Sequence, residues 1–186
     1  MANLKPIEVV ITQDDVNRVP VKIMLTHPDA KIPVYAKEGD AGADVCAVPN
    51  EDKIQARMWK WCTNQDGDYV EGTSADYMAR PHETILINLG FKIELRPGWE
   101  MQVRSRSGMA KRGLVVANAP GTIDSGYRGP CMVLIRNENS SNRIIQAGAR
   151  VAQFVLKRAP QADYVVVDEL GSSERSEGGF GSTGTQ

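Results

Sequence analysis

The sequence has few residues that bind metals through nitrogen or sulfur, and it lacks long apolar runs. Two histidines in 186 residues exclude a histidine-rich metal site. The three cysteines, Cys46, Cys62 and Cys131, are odd in number and lack metal-ligand spacing, so we expect reduced thiols in a cytoplasmic protein. No apolar stretch approaches the roughly 18 residues of a membrane span, and no basic start precedes an apolar segment. We therefore expect neither secretion nor membrane insertion.

The sequence also lacks an excess of charge of either sign. It contains 22 Lys and Arg against 23 Asp and Glu, for a net charge of −1. Proteins that bind nucleic acid or anionic membranes through bulk electrostatics usually carry a basic excess. We therefore predict no nucleic-acid partner and no membrane partner, while a local anion site stays open.

Short β-rich segments alternate with Gly, Pro, Asn and Asp, which is typical of strands joined by turns. Long amphipathic helical repeats are absent from the sequence, and residues 108–113 predict a single helical turn. The pattern predicts an all-β barrel or sandwich. The predicted strands are 7–12, 21–26, 84–89, 92–95, 100–104, 114–116, 131–137, 144–145, 151–158 and 164–167.

Composition divides the chain into one β domain with three additions. We predict an N-terminal extension at 1–18, a β domain at 19–170 and a mobile tail at 171–186, which is rich in Gly, Ser and Thr. Residues 50–82 are polar and aperiodic, so we interpret them as a surface insertion in the domain. Trp59 and Trp61 in this insertion either fold it onto the body or anchor a protein partner.

The tail segment RSEGGFGSTG (175–184) combines an arginine, hydroxyl groups and glycines that let backbone N–H groups converge on an anion. An aromatic ring in such a segment can stack on a base. The alternative, a flexible terminus without function, stays open on composition alone.

The segment RSRSGMAKRG (104–113) places cations and hydroxyls beside a predicted helical turn. Backbone N–H groups and the positive end of a helix favour phosphate. A solvated basic loop is the other interpretation of this pattern.

Three further segments carry candidate side chains. The hairpin segment NAPGTIDSGYRG (118–129) holds Asp124, which is either a general base or a turn cap, and Tyr127, which is either a site residue or core. The segment EGDAGADV (38–45) offers oxygen ligands of the kind Mg²⁺ prefers, or a turn. The strand GARVAQFV (148–155) is uninformative alone.

Taken together and in this order, the five segments resemble the five motifs of the trimeric dUTPase family. The matching stretches are AGADV (41–45), RSGMA (106–110), GTIDSGYRG (121–129), RVAQ (150–153) and residues 178–184. The resemblance implies a jelly-roll-like β fold and a homotrimer in which each active site draws on three subunits. It also implies that the tail closes over bound nucleotide.

The resemblance further implies hydrolysis of dUTP to dUMP and pyrophosphate. Asp124 would be the general base that orients a water toward the α-phosphorus, and Tyr127 would pack against the deoxyribose and exclude a 2′-hydroxyl. A tight hairpin would exclude the thymine methyl. The uracil would be bound by Asn118 and by the hairpin backbone up to Tyr127, which includes Gly121, Thr122 and Ile123.

The phosphates would be bound by residues from several motifs. Arg106, Ser107 and Gly108 would hold the phosphates, and Arg175, Ser182 and Thr183 would hold the γ-phosphate, with Phe180 stacked on uracil. Gln153 would contact the nucleotide and its solvent, and Arg150 and Gly181 are further implied substrate-binding residues. Mg²⁺ is the implied cofactor. The three phosphates would bind it directly, and Asp44 would contact it through water.

Three features depart from the family pattern. Ser176 follows Arg175 where glycine is usual, Ser105 stands where proline is frequent, and residues 50–82 are longer than the usual connection. Two other functions are alternatives to this one. The related dCTP deaminase family needs a glutamate where this chain has Leu134, whereas a regulatory binding protein would contact a partner through 50–82.

Overall fold

The computed structural model describes residues 18–50, 62–66, 68–70, 73, 75–173 and 176. These residues form short strands and, within the described ranges, one five-residue helix. In chain order the elements are β1 (Lys22–Leu25), β2 (Ala43–Cys46), β3 (Cys62–Asn64), β4 (Tyr69–Val70), β5 (Tyr77–Ala79), β6 (Thr84–Asn88), β7 (Phe91–Glu94), β8 (Trp99–Arg104), α1 (Ser107–Lys111), β9 (Leu114–Val116), β10 (Gly121–Asp124), β11 (Met132–Asn137), β12 (Arg143–Ile145) and β13 (Arg150–Arg158). The all-β prediction is confirmed.

Most strand pairs are antiparallel and join segments distant in sequence. The sheet that positions the candidate site has the order β10-β8-β13-β2, and the others are β1-β7, β6-β11-β9 and β4-β3-β12-β5. Within the site sheet, Asp124 lies opposite Glu100, and Gln153 lies opposite both Arg104 and Asp44. The two edge strands of this sheet therefore carry two of the predicted site carboxylates, Asp44 and Asp124.

The core forms because strands alternate apolar and polar positions, with the apolar side turned inward. Phe91 and Phe154 meet edge to face at its centre, with ring centroids 6.0 Å apart. The other large side chains under 2% exposed are Ile87, Leu89, Leu114, Ile135, Ile144, Ile145, Val45, Val48, Val133 and Val151. On the site sheet, the positions that alternate with the apolar ones carry half-buried polar residues, namely Asp44, Glu100, Gln102, Arg104 and Gln153.

The turn between β6 and β7 depends on glycine. Gly90 has φ of +75°, and a Cβ there would lie 2.9 Å from the His27 Cβ and 3.0 Å from the Ala30 Cβ. Its carbonyl accepts hydrogen bonds from the N–H groups of Thr26 and His27, at 2.7 and 3.1 Å. A side chain at this position would therefore separate the 26–30 loop from the sheet.

The structure corrects two sequence interpretations. Residues 50–82 are not all surface: Tyr77, Met78 and Ala79 are buried and form β5, which pairs with β12. The short apolar strand was missed because polar segments on either side obscure its pattern. Residues 164–167, predicted as a strand, have no strand pairing in the structure, and Val166 is 97% exposed. The predicted strand at 7–12 and most of the N-terminal extension lie outside the described residues.

Candidate active site

An open cleft of about 330 Å³ lies where β8 leads into α1. It collects residues from three motifs that are far apart in sequence. Arg106 caps the N-terminal end of α1 with extended backbone, so Ser107 and Gly108 form the first turn at the cleft wall. The lining residues are Ala36, Asp40, Ala41, Gly42, Asp44, Arg106, Ser107, Gly108 and Gln153. Cation, hydroxyl and backbone N–H groups together suit a phosphate chain.

Asp44 pairs with two arginines at the floor of this cleft. Arg106 donates from Nε to Asp44 Oδ1 at 2.7 Å and from Nη2 to Oδ2 at 3.3 Å, while Arg150 Nη1 donates to Oδ2 at 3.3 Å. The Asp44 side chain is 18% exposed and that of Arg106 is 25% exposed, so this pair is shielded more than a surface ion pair. Arg150 is 58% exposed and does not line the cleft. Asp44 therefore orients the Arg106 guanidinium.

Gln153 has a fixed carboxamide. Its Nε2 donates to the Ser105 carbonyl at 2.9 Å, and its Oε1 lies against Gly42, where a Cβ would overlap it. The Ser105 hydroxyl in turn accepts a hydrogen bond from the Val116 N–H at 2.8 Å. The serine noted as a departure from the family pattern thus ties β8 to β9 and, through its carbonyl, orients Gln153.

A second cavity, of about 180 Å³, lies beside the end of β10. Its walls combine an exposed carboxylate, an aromatic ring and small apolar groups. The lining residues are Thr122, Ile123, Asp124, Tyr127, Pro130, Cys131 and Met132. Asp124 ends the strand, and the Tyr127 N–H donates to its carbonyl at 3.1 Å, which turns the chain so that both side chains reach the cavity.

The hairpin before this cavity carries the remaining predicted base-binding residues. A cis Ala119–Pro120 bond connects the turn to β10, and Gly121 lies opposite Val103 of β8. The Asn118 carboxamide packs against Gly121, with its Nδ2 3.0 Å from a Cβ built there. Asn118 and Gly121 thus shape the hairpin but do not line the cavity.

The two cavities are well separated within one chain. Asp124 and Asp44 lie on opposite edge strands of the site sheet and differ by four positions along β8, from Glu100 to Arg104. Three strand spacings of about 4.8 Å and four residue rises of about 3.3 Å place the α-carbons of Asp124 and Asp44 roughly 15–20 Å apart. Asp124 therefore cannot contact a phosphate group held at Arg106 of the same chain.

Both described thiols near these cavities are unsuited to be nucleophiles. Burial raises the pKa of the Cys131 thiol to about 11. Burial also raises the pKa of Cys46, and nearby Lys31 and Arg150 offset this only partly. Because the thiolate is the nucleophile, both groups are inert near neutral pH.

The residues present fit a magnesium ion carried by a phosphate chain, and they do not form a protein-only metal site. Within the described ranges, no three His, Cys, Asp or Glu side chains cluster closely enough to bind a metal. Asp40 and Asp44 both line the first cleft, and the Asp44 oxygens already accept from arginines. These carboxylates can accept hydrogen bonds from metal-bound water, as Mg²⁺ binding usually permits.

Sequence reasoning identified most of the described lining residues but missed several. Asp40, Ala41 and Gly42 lay in the EGDAGADV segment without an assigned role, and Pro130, Cys131 and Met132 directly follow the third motif. Their position next to motif residues was the available signal. The predicted residues Arg175, Phe180, Gly181, Ser182 and Thr183 lie outside the described residues.

Comparisons with known proteins agree with this geometry. A family model described as dUTPase matches residues 72–184. The deoxyuridine 5'-triphosphate nucleotidohydrolase of Clostridium kluyveri is 40% identical over 160 residues, covering 86% of this chain and 94% of that protein. The enzyme of the same name from Picosynechococcus is 36% identical over 166 residues, covering 89% and 99%.

A solved structure shares the fold at low sequence identity. A mutant dUTPase of Staphylococcus bacteriophage 80alpha, solved with dUpNHpp, superposes with a TM-score of 0.70 at 21% identity. The match covers 89% of this chain and 98% of that one. The jelly-roll-like fold implied by the motifs is therefore confirmed. Among the described residues no helix is long and apolar enough to cross a membrane. On the family model and the identity to these relatives, the chain belongs to the dUTPase family.

Proposed function

We propose that this protein hydrolyses dUTP to dUMP and pyrophosphate through Mg²⁺-assisted attack of water on the α-phosphorus. The observation that carries the proposal is the pair of cavities lined by residues of the site sheet. The Arg106 cleft suits a triphosphate, and the Asp124–Tyr127 cavity suits a nucleoside beside a carboxylate. The relatives at 36% and 40% identity are named deoxyuridine 5'-triphosphate nucleotidohydrolase.

The separation of the cavities supports a shared site in a homotrimer. A general base must come within hydrogen-bond reach of the water it activates. A distance of roughly 15–20 Å between strand edges prevents this within one chain. A second copy that brings its Asp124 to the Arg106 cleft would complete the site, and a third copy would supply the tail residues.

The phosphate side of the site is oriented before substrate arrives. Asp44 fixes the Arg106 guanidinium, and the Ser105 carbonyl fixes the Gln153 carboxamide. Arg106 neutralises phosphate charge, Ser107 and Gly108 donate hydrogen bonds, and Gln153 presents its Oε1 acceptor to bound water. Arg150 supports this set through Asp44. Fixed donors and acceptors lose little entropy on binding, so they favour the reacting geometry.

The nucleoside side provides the base and the sugar contact. Asp124 takes a proton from the attacking water, which aligns the water opposite the pyrophosphate leaving group. The Tyr127 ring packs against the deoxyribose and leaves no space for a 2′-hydroxyl. Thr122 and Ile123 line the cavity and contact uracil, and the tight hairpin that Asn118 and Gly121 shape excludes a 5-methyl group by its size.

Mg²⁺ would bind to the substrate phosphates, near Asp44 and Asp40, and would supply charge neutralisation and orientation of the triphosphate. In the cell, the reaction would keep uracil out of DNA and provide dUMP for dTMP synthesis. We also propose that the protein is cytoplasmic and that a protein partner contacts residues 50–82.

The reaction is tested by product analysis with Mg²⁺, offering dUTP, dCTP, dTTP and UTP separately. We expect dUMP and pyrophosphate from dUTP alone. Conversion of dCTP to dUTP would instead indicate a deaminase. Tight binding of dUTP without turnover would indicate a regulatory binding protein.

The general base is tested by the Asp124→Asn variant. We expect dUTP binding to persist while turnover falls by about 10²–10⁴-fold, since the amide accepts no proton and general base catalysis typically contributes this much. Glu100→Gln is the matched control, because Glu100 lies directly opposite on β8 and lines neither cavity. Near-normal turnover by Asp124→Asn would remove Asp124 from the mechanism.

The shared site and the tail are tested separately. Sedimentation of the whole protein should show a trimer, and a monomer with full activity would contradict the shared site. Removal of residues 178–186 should strongly reduce turnover without changing the sedimentation coefficient beyond the lost mass, because the tail contributes closure and not core.

A further inference from the structure

The Tyr127 ring lies directly on the backbone of Gly129. A Cβ built at Gly129 would overlap the Tyr127 Oη and Cζ atoms and lie 2.9 Å from Cε2. The φ angle of Gly129 is not in the left-handed region, so the requirement for glycine comes from the ring and not from the backbone. Gly126, in the same turn, would place a Cβ in open space. The steric constraint is therefore specific to position 129.

Hydrogen bonds anchor Tyr127 at both ends. Its Oη donates to the Pro130 carbonyl at 3.1 Å, and its N–H donates to the Asp124 carbonyl at 3.1 Å. Arg128 tightens the same turn by donating from Nη1 to the Ser125 carbonyl at 2.7 Å and to the Tyr127 carbonyl at 2.8 Å. The ring thus has one defined position even though Tyr127 is 43% exposed.

The Gly129 α-carbon and the Pro130 carbonyl together form what we name the Tyr127 seat. Tyr127 is a wall of the second cavity, whereas Gly129 does not line that cavity. A methyl group added at Gly129 can therefore affect a ligand in the cavity only through the ring or the turn.

We propose that the Tyr127 seat sets the discrimination between deoxyribose and ribose, with Gly129 as a positioning residue. The inference rests on the proposed function, in which the ring contacts the sugar. A ring displaced into the cavity would weaken dUTP turnover, and a ring displaced outward would admit the 2′-hydroxyl of UTP. The outward displacement therefore lowers the ratio of kcat/KM for dUTP to that for UTP, and it is the one expected when a methyl group at Gly129 pushes the ring off its seat.

The test is the Gly129→Ala variant of the full-length protein, with Gly126→Ala as the matched control. Pyrophosphate release from dUTP and from UTP is measured with Mg²⁺ for both variants and the wild type. We expect the dUTP/UTP ratio to fall at least tenfold in Gly129→Ala, because displacements of about 1 Å at a reacting centre can change rates by about 10²-fold. The ratio should stay within about twofold of wild type in Gly126→Ala.

A double-mutant cycle separates positioning from a merely structural role. In a Tyr127→Ala background, the Gly129→Ala change should have no further effect on the ratio, since the ring it displaces is gone. An equal loss with and without the ring would overturn the proposal.

The experiment distinguishes a failure of the proposed function from a failure of the inference about Gly129. If wild type releases no pyrophosphate from dUTP, the proposed function is wrong and the inference fails with it. If wild type is active and Gly129→Ala keeps its ratio, the inference alone is wrong. Should Gly129→Ala not fold, Tyr127→Phe removes the bond to Pro130, and an unchanged ratio in that variant would refute the seat.

Discussion

The buried Asn137 side chain offers a sharp stability test. It is 0% exposed, and its Nδ2 donates to the carbonyls of Ala79, Arg80 and Ser141 at 3.0, 3.0 and 2.8 Å. Its Oδ1 accepts from Asn139 N and Nδ2 at 3.0 and 2.8 Å. The group thereby joins β5, β11 and the turn before β12. Asn137→Asp keeps the shape but places an oxygen against three carbonyl oxygens.

The expected loss of stability follows from counting the affected carbonyls. The carboxamide has two N–H donors for these carbonyls, and the Arg80 carbonyl also accepts from the Glu83 N–H at 3.1 Å. A protonated aspartic acid keeps one donor, which leaves one carbonyl without its hydrogen bond at about 1–3 kcal/mol. The loss is therefore about 1–3 kcal/mol even when the acid is neutral. The unfolded pKa is about 3.9, and burial against carbonyls raises the folded pKa, so the loss grows by about 1.4 kcal/mol per pH unit between the two values.

The assay is urea unfolding at fixed protein concentration, at pH 5 and at pH 7. We expect the free energy of unfolding of Asn137→Asp to be several kcal/mol below that of wild type at both pH values, with the larger difference at pH 7. Asn142→Asp, at an exposed position in the same turn, should stay within about 0.5 kcal/mol of wild type. A difference under about 1 kcal/mol at pH 7, or one independent of pH, would refute the assigned role of the carboxamide.

Three further predictions concern the core, the phosphate cleft and a thiol. Phe91→Ala should lower the free energy of unfolding by about 3–5 kcal/mol, because it empties a fully buried site at the edge of the Phe154 ring; a loss under about 1 kcal/mol in urea would contradict this. Asp44→Asn should lower kcat/KM for dUTP roughly 10–100-fold by releasing Arg106, since hydrogen bonds to charged groups contribute about 1.5–3 kcal/mol. Unchanged steady-state kinetics would show that the Asp44–Arg106 ion pair has no role in the site. The Cys131 pKa of about 11, against an ordinary 9.0, makes the unfolded thiol ionise first as pH rises. Wild type should therefore lose about 1.4 kcal/mol between pH 8 and pH 10 relative to Cys131→Ala; parallel pH profiles of the two proteins would refute it.

The prediction of strands from sequence succeeded where local signals were strong. The interval 114–116 matches β9 exactly in its bounds, and 131–137 differs from β11 by one residue. In both, a short apolar run is bounded by Gly or Pro, so periodicity and turn residues agree. β2 and β10 were instead interpreted as loop or turn, because glycine and aspartate dominate AGADV and GTID. Their strand character comes from pairing with distant β13 and β8.

For the site, the sequence motifs identified the residues, whereas the contacts between them come from segments far apart in sequence. Motif spacing placed Arg106, Ser107 and Gly108 together, and the structure brings Asp44 and Gln153 to them. The partner of each group is decided by register across the sheet. Asp44 was predicted as a water-mediated metal contact, which stays a prediction. Its partners in the structure are Arg106, at the N-terminal end of α1, and Arg150 of β13.

The sequence by itself determined the all-β class, the turn positions and the identity of the chemical groups, because these depend on local periodicity and residue type. Tertiary structure alone decided which groups meet. It placed Gln153 between Gly42 and Ser105, seated Tyr127 on Gly129, buried Asn137 among three carbonyls and set Asp124 far from Arg106. Such contacts depend on strand register and packing between segments many residues apart, and no local pattern in one sequence encodes them.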